Sequence, residues 1–124
     1  WVSALLAKIV GDKGKIIGIE RISELKEMAE KNIAKYNFIE KGIVKIILGD
    51  GAKGYKKEAF YDKIIAGAAA YDDIPLEWKK QLKIGGRITA PVKNSIVVID
   101  KIGKNEYSKK EYFGFSFVPL ITNK

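Results

Sequence analysis

The 124-residue chain has no cysteine and no histidine. Without cysteine there are no disulfides and no thiolate chemistry. Without histidine the commonest general base and metal ligand is gone, and a Ser-His-Asp triad cannot be assembled. Arginine is nearly absent too: Arg21 and Arg87 stand against a large excess of lysine in a net charge of +8. Arginine forks onto phosphates and base edges, whereas lysine is a hydrated point charge. The lysines are scattered, with short pairs only at Lys56-Lys57, Lys79-Lys80 and Lys109-Lys110. The charge therefore reads as a solvated surface, and nucleic acid is not the expected partner. No apolar run approaches the roughly 18 residues of a membrane span.

What is present is ordinary for a globular chain: 47% hydrophobic and 31% charged residues, at a length that fits one domain. Apolar spacing predicts a helix over residues 1–10, ended by the turn from Gly11 to Gly14. Lys15 to Glu20 reads as a strand. Ser23 is expected to cap a helix to about Tyr36, with Leu25, Met28, Ala29, Ile33 and Tyr36 as its buried stripe. Ile43 to Leu48 is the next strand, closed by Gly49-Asp50-Gly51. The richest stretch runs from Tyr61 to Val92. It reads as a buried strand (Asp62 to Ala66), a run of small residues, a helix opened by Pro75, a Gly85-Gly86 break and a strand from Arg87. Ser95 to Ile102 and Tyr112 to Ile121 are two further strands. Helices alternate with strands early and strands follow strands late, which is α/β with an antiparallel ending.

Glu20 falls at the carboxyl end of a strand, just before a helix. In doubly wound sheets that place faces the ligand crevice, and an acid there accepts ribose hydroxyls. An acid favoured by the helix dipole is the simpler reading. Asp50 also ends a strand; Gly51 lets backbone approach a flat base, and Asp50 can accept from an exocyclic amine. An Asp-Gly turn explains the same residues. Together, at the ends of successive strands, Glu20 and Asp50 favour function. Gly67, Ala68, Ala69 and Ala70 suit either close helix packing or a slot for a substrate backbone. Tyr71, Asp72 and Asp73 read as solvated loop.

The segments VGDKGKIIGIERI, ILGDGAKGY, YDKIIAGAAA, IP, QLKIGGRITAPV and FVPL, in this order and spacing, resemble the protein-L-isoaspartate O-methyltransferase family. The resemblance spans nearly the whole chain. It implies a Rossmann-like S-adenosylmethionine-dependent methyltransferase sheet, mostly parallel with an antiparallel last strand. It implies S-adenosylmethionine as cofactor and the carboxylate of L-isoaspartyl residues in damaged proteins as methyl acceptor. Glu20 and Arg21 would line the ribose and adenine, and Asp50 and Gly51 would hold the adenine. Gly67 to Ala70 and Val118, Pro119 and Leu120 would lie along the isoaspartyl peptide. No metal is implied, and a cytoplasmic, membrane-free protein is expected. Two places depart from the family: Tyr71 stands where proline is usual and Lys93 where glycine is usual.

The chain opens at Trp1 inside an uncapped helix, at the point where the family's glycine-rich cofactor loop has just ended. The expectation is therefore a C-terminal portion, residues 1–124, of a single methyltransferase domain that binds cofactor poorly or not at all by itself. A central strand would normally lie between the Lys15–Glu20 and Asp62–Ala66 strands, so the facing edges of those two are expected to be open. Two rival readings stand beside this one: an RNA methyltransferase of the same fold, or a non-catalytic fragment that needs a partner chain. Oligomeric state is left open.

Overall fold

The computed structural model describes residues 2–70, 72–114, 116 and 119–120. The chain folds as two compact units, Trp1–Gly51 and Ala52–Lys124.

The first unit holds helix α1 (Val2–Val10), strand β1 (Ile16–Glu20), helix α2 (Ser23–Ala34) and strand β2 (Val44–Leu48). Gly11, at φ +73°, ends α1 by donating its N–H to the Ala7 carbonyl at 3.1 Å. β1 and β2 are parallel, with Ile16 opposite Val44 and Glu20 opposite Leu48. Ala4, Ala7, Ile33, Ile43, Val44 and Ile46 form the core. Two expectations for α2 need correction. Ile22, not Ser23, is the N-cap, and no side chain caps the helix. Of the predicted stripe only Ile33 is buried; Leu25, Met28 and Tyr36 are exposed. With mixed polarity all round, α2 is held by one anchor and by i,i+4 pairs such as Lys26–Glu30 at 3.0 Å.

The second unit holds β3 (Tyr61–Ile65), α3 (Leu76–Gln81), β4 (Leu82–Val92), β5 (Ser95–Gly103) and β6 (Glu106–Phe113), in sheet order β3-β4-β5-β6. β3 and β4 are parallel; β4, β5 and β6 are antiparallel neighbours. The core gathers Ile74, Trp78, Leu82, Ile88, Ala90, Val92, Val97 and Ile99. Along β5, Ser95, Val97, Ile99 and Lys101 alternate inward. Lys101 is buried because its ammonium closes the end of α3: Nζ donates to the Lys79 and Leu82 carbonyls, each at 3.0 Å.

Two sequence expectations fail here, and one strand escapes the sequence reading. Gly85-Gly86 does not break the helix: α3 ends at Gln81 and β4 runs straight through both glycines. They lie instead where the register with β3 shifts, Tyr61 facing Leu82 but Lys63 facing Arg87. A Cβ on Gly86 would sit 2.9 Å from the Asp62 carbonyl, so glycine permits the close approach of β3. Among the described residues the last strand is Glu106–Phe113, whose alternation is masked by lysines on an exposed edge; it takes in Tyr112 and Phe113 of the expected strand Tyr112 to Ile121, and residues 115, 117, 118 and 121 of that expectation lie outside the described residues. The strand expected to be buried, β3, has no buried residue. Among the described residues β1 and β3 each pair on one side only, as the open-edge expectation required.

Arg87 and Asp100 lie directly opposite on β4 and β5 and pair through two bonds, Nε–Oδ1 at 2.7 Å and Nη2–Oδ2 at 3.1 Å. The hydrogen bond from Arg87, and then its charge, hold the Asp100 carboxyl below the usual carboxylate range. The folded state thus keeps this charge to lower pH than the unfolded chain. The pair's contribution is present above the unfolded value of about 3.9 and is lost as pH falls through the lowered folded value. The stability difference between wild type and Asp100→Asn should shrink over that acid window in urea titrations. Burial makes a second prediction. Ile88 is 0% exposed and Ile102 60%. Ile88→Ala should cost about 2–5 kcal/mol in denaturant unfolding, and Ile102→Ala no more than about 0.5 kcal/mol.

Candidate functional site

Two groups of candidate residues are gathered, one in each unit. In the first unit the parallel pairing of β1 and β2 brings their carboxyl ends side by side. Glu20 faces Leu48, and the Gly49 N–H donates to the Glu20 carbonyl at 2.9 Å. Asp50 follows one residue later. Glu20 Oε1 accepts the N–H groups of Arg21 and Ile22 at 3.0 and 3.2 Å, at the entry to α2. The helix-start reading and the ligand reading of Glu20 are therefore compatible: one oxygen is used by the backbone and the carboxylate is held at the strand end. Asp50 is buried, with 8% exposure, whereas Gly51 has open space where a Cβ would stand. An acid at each of two adjacent strand ends, beside an unobstructed glycine, suits a ribose and a flat base. Arg21 is exposed at the same end.

In the second unit, Ala69 makes a parallel bridge with Pro119, and the Leu120 N–H donates to the Ala69 carbonyl at 2.7 Å. Residues some fifty positions apart in the chain, singled out for one substrate, are thus neighbours. Val118 lies outside the described residues, as do Phe117 and Tyr71. Ala69 and Ala70 are buried, and Ala70 belongs to the core, its N–H donating to the Pro91 carbonyl at 2.9 Å. Ala68 is half-buried and Gly67 exposed, and a Cβ at Gly67 would meet nothing within 4 Å. Small side chains here serve packing at Ala70 and leave room at Gly67.

Asp73 is not simply solvated. Its Oδ1 accepts the Ile74 N–H at 2.8 Å, and its oxygens face Lys79 at 3.9 Å and Lys109 at 3.8 Å. Sequence reasoning also passes over Gln81, which is 3% exposed and bonds at both ends of its amide. A signal is available: Gln81 is three residues after Trp78, on the buried side of a short helix, where an amide must find partners. Its partners lie in the loop before β3. At the start of β3, Tyr61 donates its O–H to the Tyr55 carbonyl of that loop at 2.5 Å, and burial first, then Glu58 and Tyr55, push the phenol above its usual range.

Parallel strands with acids at adjacent carboxyl ends are the arrangement that α/β folds use for nucleotide cofactors, and comparison with known proteins narrows the class. The family model of protein-L-isoaspartate(D-aspartate) O-methyltransferase matches residues 1–124, and the chain belongs to that family. It is 40% identical over 130 residues to a protein-L-isoaspartate O-methyltransferase of Staphylothermus marinus, covering 98% of this chain and 56% of the relative. It is 42% identical over 121 residues to protein-L-isoaspartate O-methyltransferase 2 of Archaeoglobus fulgidus, covering 95% and 53%. The chain spans about half the length of the curated relatives it matches. A solved protein-L-isoaspartate O-methyltransferase superposes with TM-score 0.86 at 23% identity, covering 96% of this chain and 38% of that one. A Plasmodium falciparum structure assigned to the same methyltransferases, in complex with S-adenosyl-L-homocysteine, gives 0.76 at 23% identity, covering 88% and 53%. The fold is theirs.

The family departure at Lys93 has a structural meaning. Val92 pairs with Ser95, so Lys93 and Asn94 form a two-residue hairpin turn. Lys93 adopts φ +53°, and its N–H donates to the Ala70 carbonyl at 3.1 Å. A positive φ at the first turn position alone is the type II′ pattern, which glycine fills without strain. Lys93→Gly should raise unfolding stability by about 1 kcal/mol in denaturant titrations, leaving the Ala70 contact intact.

Proposed function

We propose that this chain serves in methyl transfer from S-adenosylmethionine to the free carboxylate of an L-isoaspartyl residue, a repair of damaged proteins. The observation that carries the reading is the pair Glu20 and Asp50, at the ends of adjacent parallel strands, within a family match that runs the length of the chain. The curated relatives carry that enzyme name, and the chain corresponds to about half of each. We read it as the carboxyl-terminal portion of a single methyltransferase domain acting in the cytoplasm. Among the described residues no helix is long and apolar enough to cross a membrane.

The residues fit the cofactor by chemistry. Glu20, oriented by two backbone N–H groups, receives ribose hydroxyls on its remaining oxygen. Asp50 accepts from the adenine amine, and Gly51, open where a side chain would be, admits the ring. Arg21 borders the same end. When bound, S-adenosylmethionine supplies a methyl group activated by its sulfonium. The acceptor carboxylate is ionised at neutral pH, since such groups titrate near about 4, so no residue has to remove a proton. The absence of histidine is no obstacle. The run Gly67 to Ala70, with Ala70 packing behind it in the core, borders the peptide together with Val118, Pro119 and Leu120, and catalysis rests on alignment, an effect worth up to about 7–11 kcal/mol.

The test is transfer of label from S-adenosylmethionine to paired isoaspartyl and aspartyl peptides, with this chain and with the full-length gene product. Label on the isoaspartyl peptide alone supports the reading. Activity and cofactor affinity are expected to be lower in the isolated chain, where among the described residues β1 and β3 each pair on one side. Salt-sensitive transfer to RNA instead would overturn it. In the full-length protein, Glu20→Ala should weaken S-adenosylhomocysteine binding by about 1–2 kcal/mol, the worth of a charge-assisted hydrogen bond. Unchanged affinity in calorimetry would remove Glu20 from the cofactor site.

A further inference from the structure

We propose that Lys93 is a specificity-determining residue for the peptide, drawing acidic side chains that flank the isoaspartyl residue to the hairpin tip between β4 and β5. The inference rests on the methyltransferase reading above. Lys93 and Asn94 make the two-residue turn, and both are exposed. The Lys93 N–H donates to the Ala70 carbonyl at 3.1 Å, and the Ala70 N–H donates to the Pro91 carbonyl at 2.9 Å. One residue earlier, Ala69 bridges Pro119 and its carbonyl accepts the Leu120 N–H. The turn, the small-residue run and Pro119-Leu120 are thus laced into one backbone strip, all within the second unit. Both segments read as bordering the peptide lie in that strip, and Lys93 is rooted one hydrogen bond from it.

Two observations give the side chain a part beyond the turn. The first is that lysine fits the backbone poorly. At φ +53° it is strained where glycine is not, and residues held in such conformations gather at ligand sites. The second is that the ammonium is uncommitted. Lys79 and Lys109 face Asp73, and Lys109 also pairs with Glu111 at 3.1 Å. Among the described residues Lys93 has no ion pair, not even with Asp72, an exposed acid two residues past Ala70. A lysine ammonium on its flexible four-carbon stem is a point charge that takes an anionic partner without demanding one geometry. The isoaspartyl carboxylate has to stay free to accept the methyl group. The anions left for Lys93 to recognise are carboxylates on the residues beside it. An exposed pair of this kind is weak, acts mainly on encounter and is screened by salt.

The test uses the full-length gene product and two isoaspartyl peptides of equal length, with glutamate or with glutamine on both sides of the isoaspartyl residue. Methyl transfer is measured at low and high salt for wild type, Lys93→Asn, Lys93→Arg and Lys104→Gln. Asparagine tolerates a positive φ, so Lys93→Asn removes the charge and keeps the turn. Lys104, exposed in the turn at the far end of β5, controls for net charge. Wild type, Lys93→Arg and Lys104→Gln should prefer the glutamate peptide by about threefold to fivefold in kcat/KM at low salt. The preference should lie in KM and vanish at high salt. Lys93→Asn should treat both peptides alike, its loss confined to KM for the glutamate peptide. Equal treatment of the two peptides by wild type overturns the proposal. So does a preference that survives in Lys93→Asn, or one that falls as far in Lys104→Gln, which assigns it to the overall charge. An equal loss on both peptides in Lys93→Asn also overturns it, since that marks a structural role alone. Failure of the methyltransferase reading is seen separately, as transfer to neither peptide by the unmodified protein.

Discussion

Backbone pairing along β4 is the constraint on which the second unit depends. β4 is paired on both sides, parallel to β3 and antiparallel to β5, and its inward residues Ile88, Ala90 and Val92 are among the most buried in the chain. The pairing extends past the end of β3. The Thr89 carbonyl accepts from Ala66, the Pro91 carbonyl from Ala70, and the Ala70 carbonyl from Lys93. Each bond carries the small-residue run one step further along β4, until Ala69 meets Pro119. Proline fits within β4 because its contribution at that step is a carbonyl, which needs no N–H.

The same logic explains which elements can be read from residues alone. β1, β2 and the boundaries of α1 are legible because apolar runs, glycines and a parallel α/β rhythm agree with one another. So is the proximity of Glu20 and Asp50, since two parallel strands joined through a helix must end on the same side. The errors have tertiary causes. The start of β6 escapes the reading because an edge strand tolerates Lys109, Lys110 and Glu111, which erase its period. The Gly85-Gly86 break is misread because glycine marks a bulge and a close backbone approach as readily as a helix end. The stripe of α2 is overextended because apolar spacing says where a face is, not whether anything covers it.

Polar residues in apolar places are the other blind spot. Lys101 looks like one more solvated lysine, yet its ammonium closes the carbonyl end of α3 and lies 5.8 Å from the centre of the Tyr107 ring. Gln81 looks like the polar side of a short helix, yet it faces inward and holds a loop. Neither partner set is local: Lys101 reaches back 19 and 22 residues, and Gln81 reaches 26 and 28. Spacing rules see neighbours at three and four positions, so contacts of this range leave only the anomaly of a polar side chain on a buried face.

The composition and the proposed chemistry constrain each other. A chain with neither histidine nor cysteine has few groups able to shuttle a proton near neutral pH. The proposed reaction asks for none, because its nucleophile, a carboxylate, arrives already ionised. What remains for such a chain to supply is position, and position here is set by side chains bound to backbone. Glu20 is held by the N–H groups of Arg21 and Ile22 at the carboxyl end of β1. Backbone groups cannot change rotamer, so a carboxylate anchored to them is held to few orientations. That is what alignment requires when no proton transfer is available to compensate for a misplaced methyl acceptor.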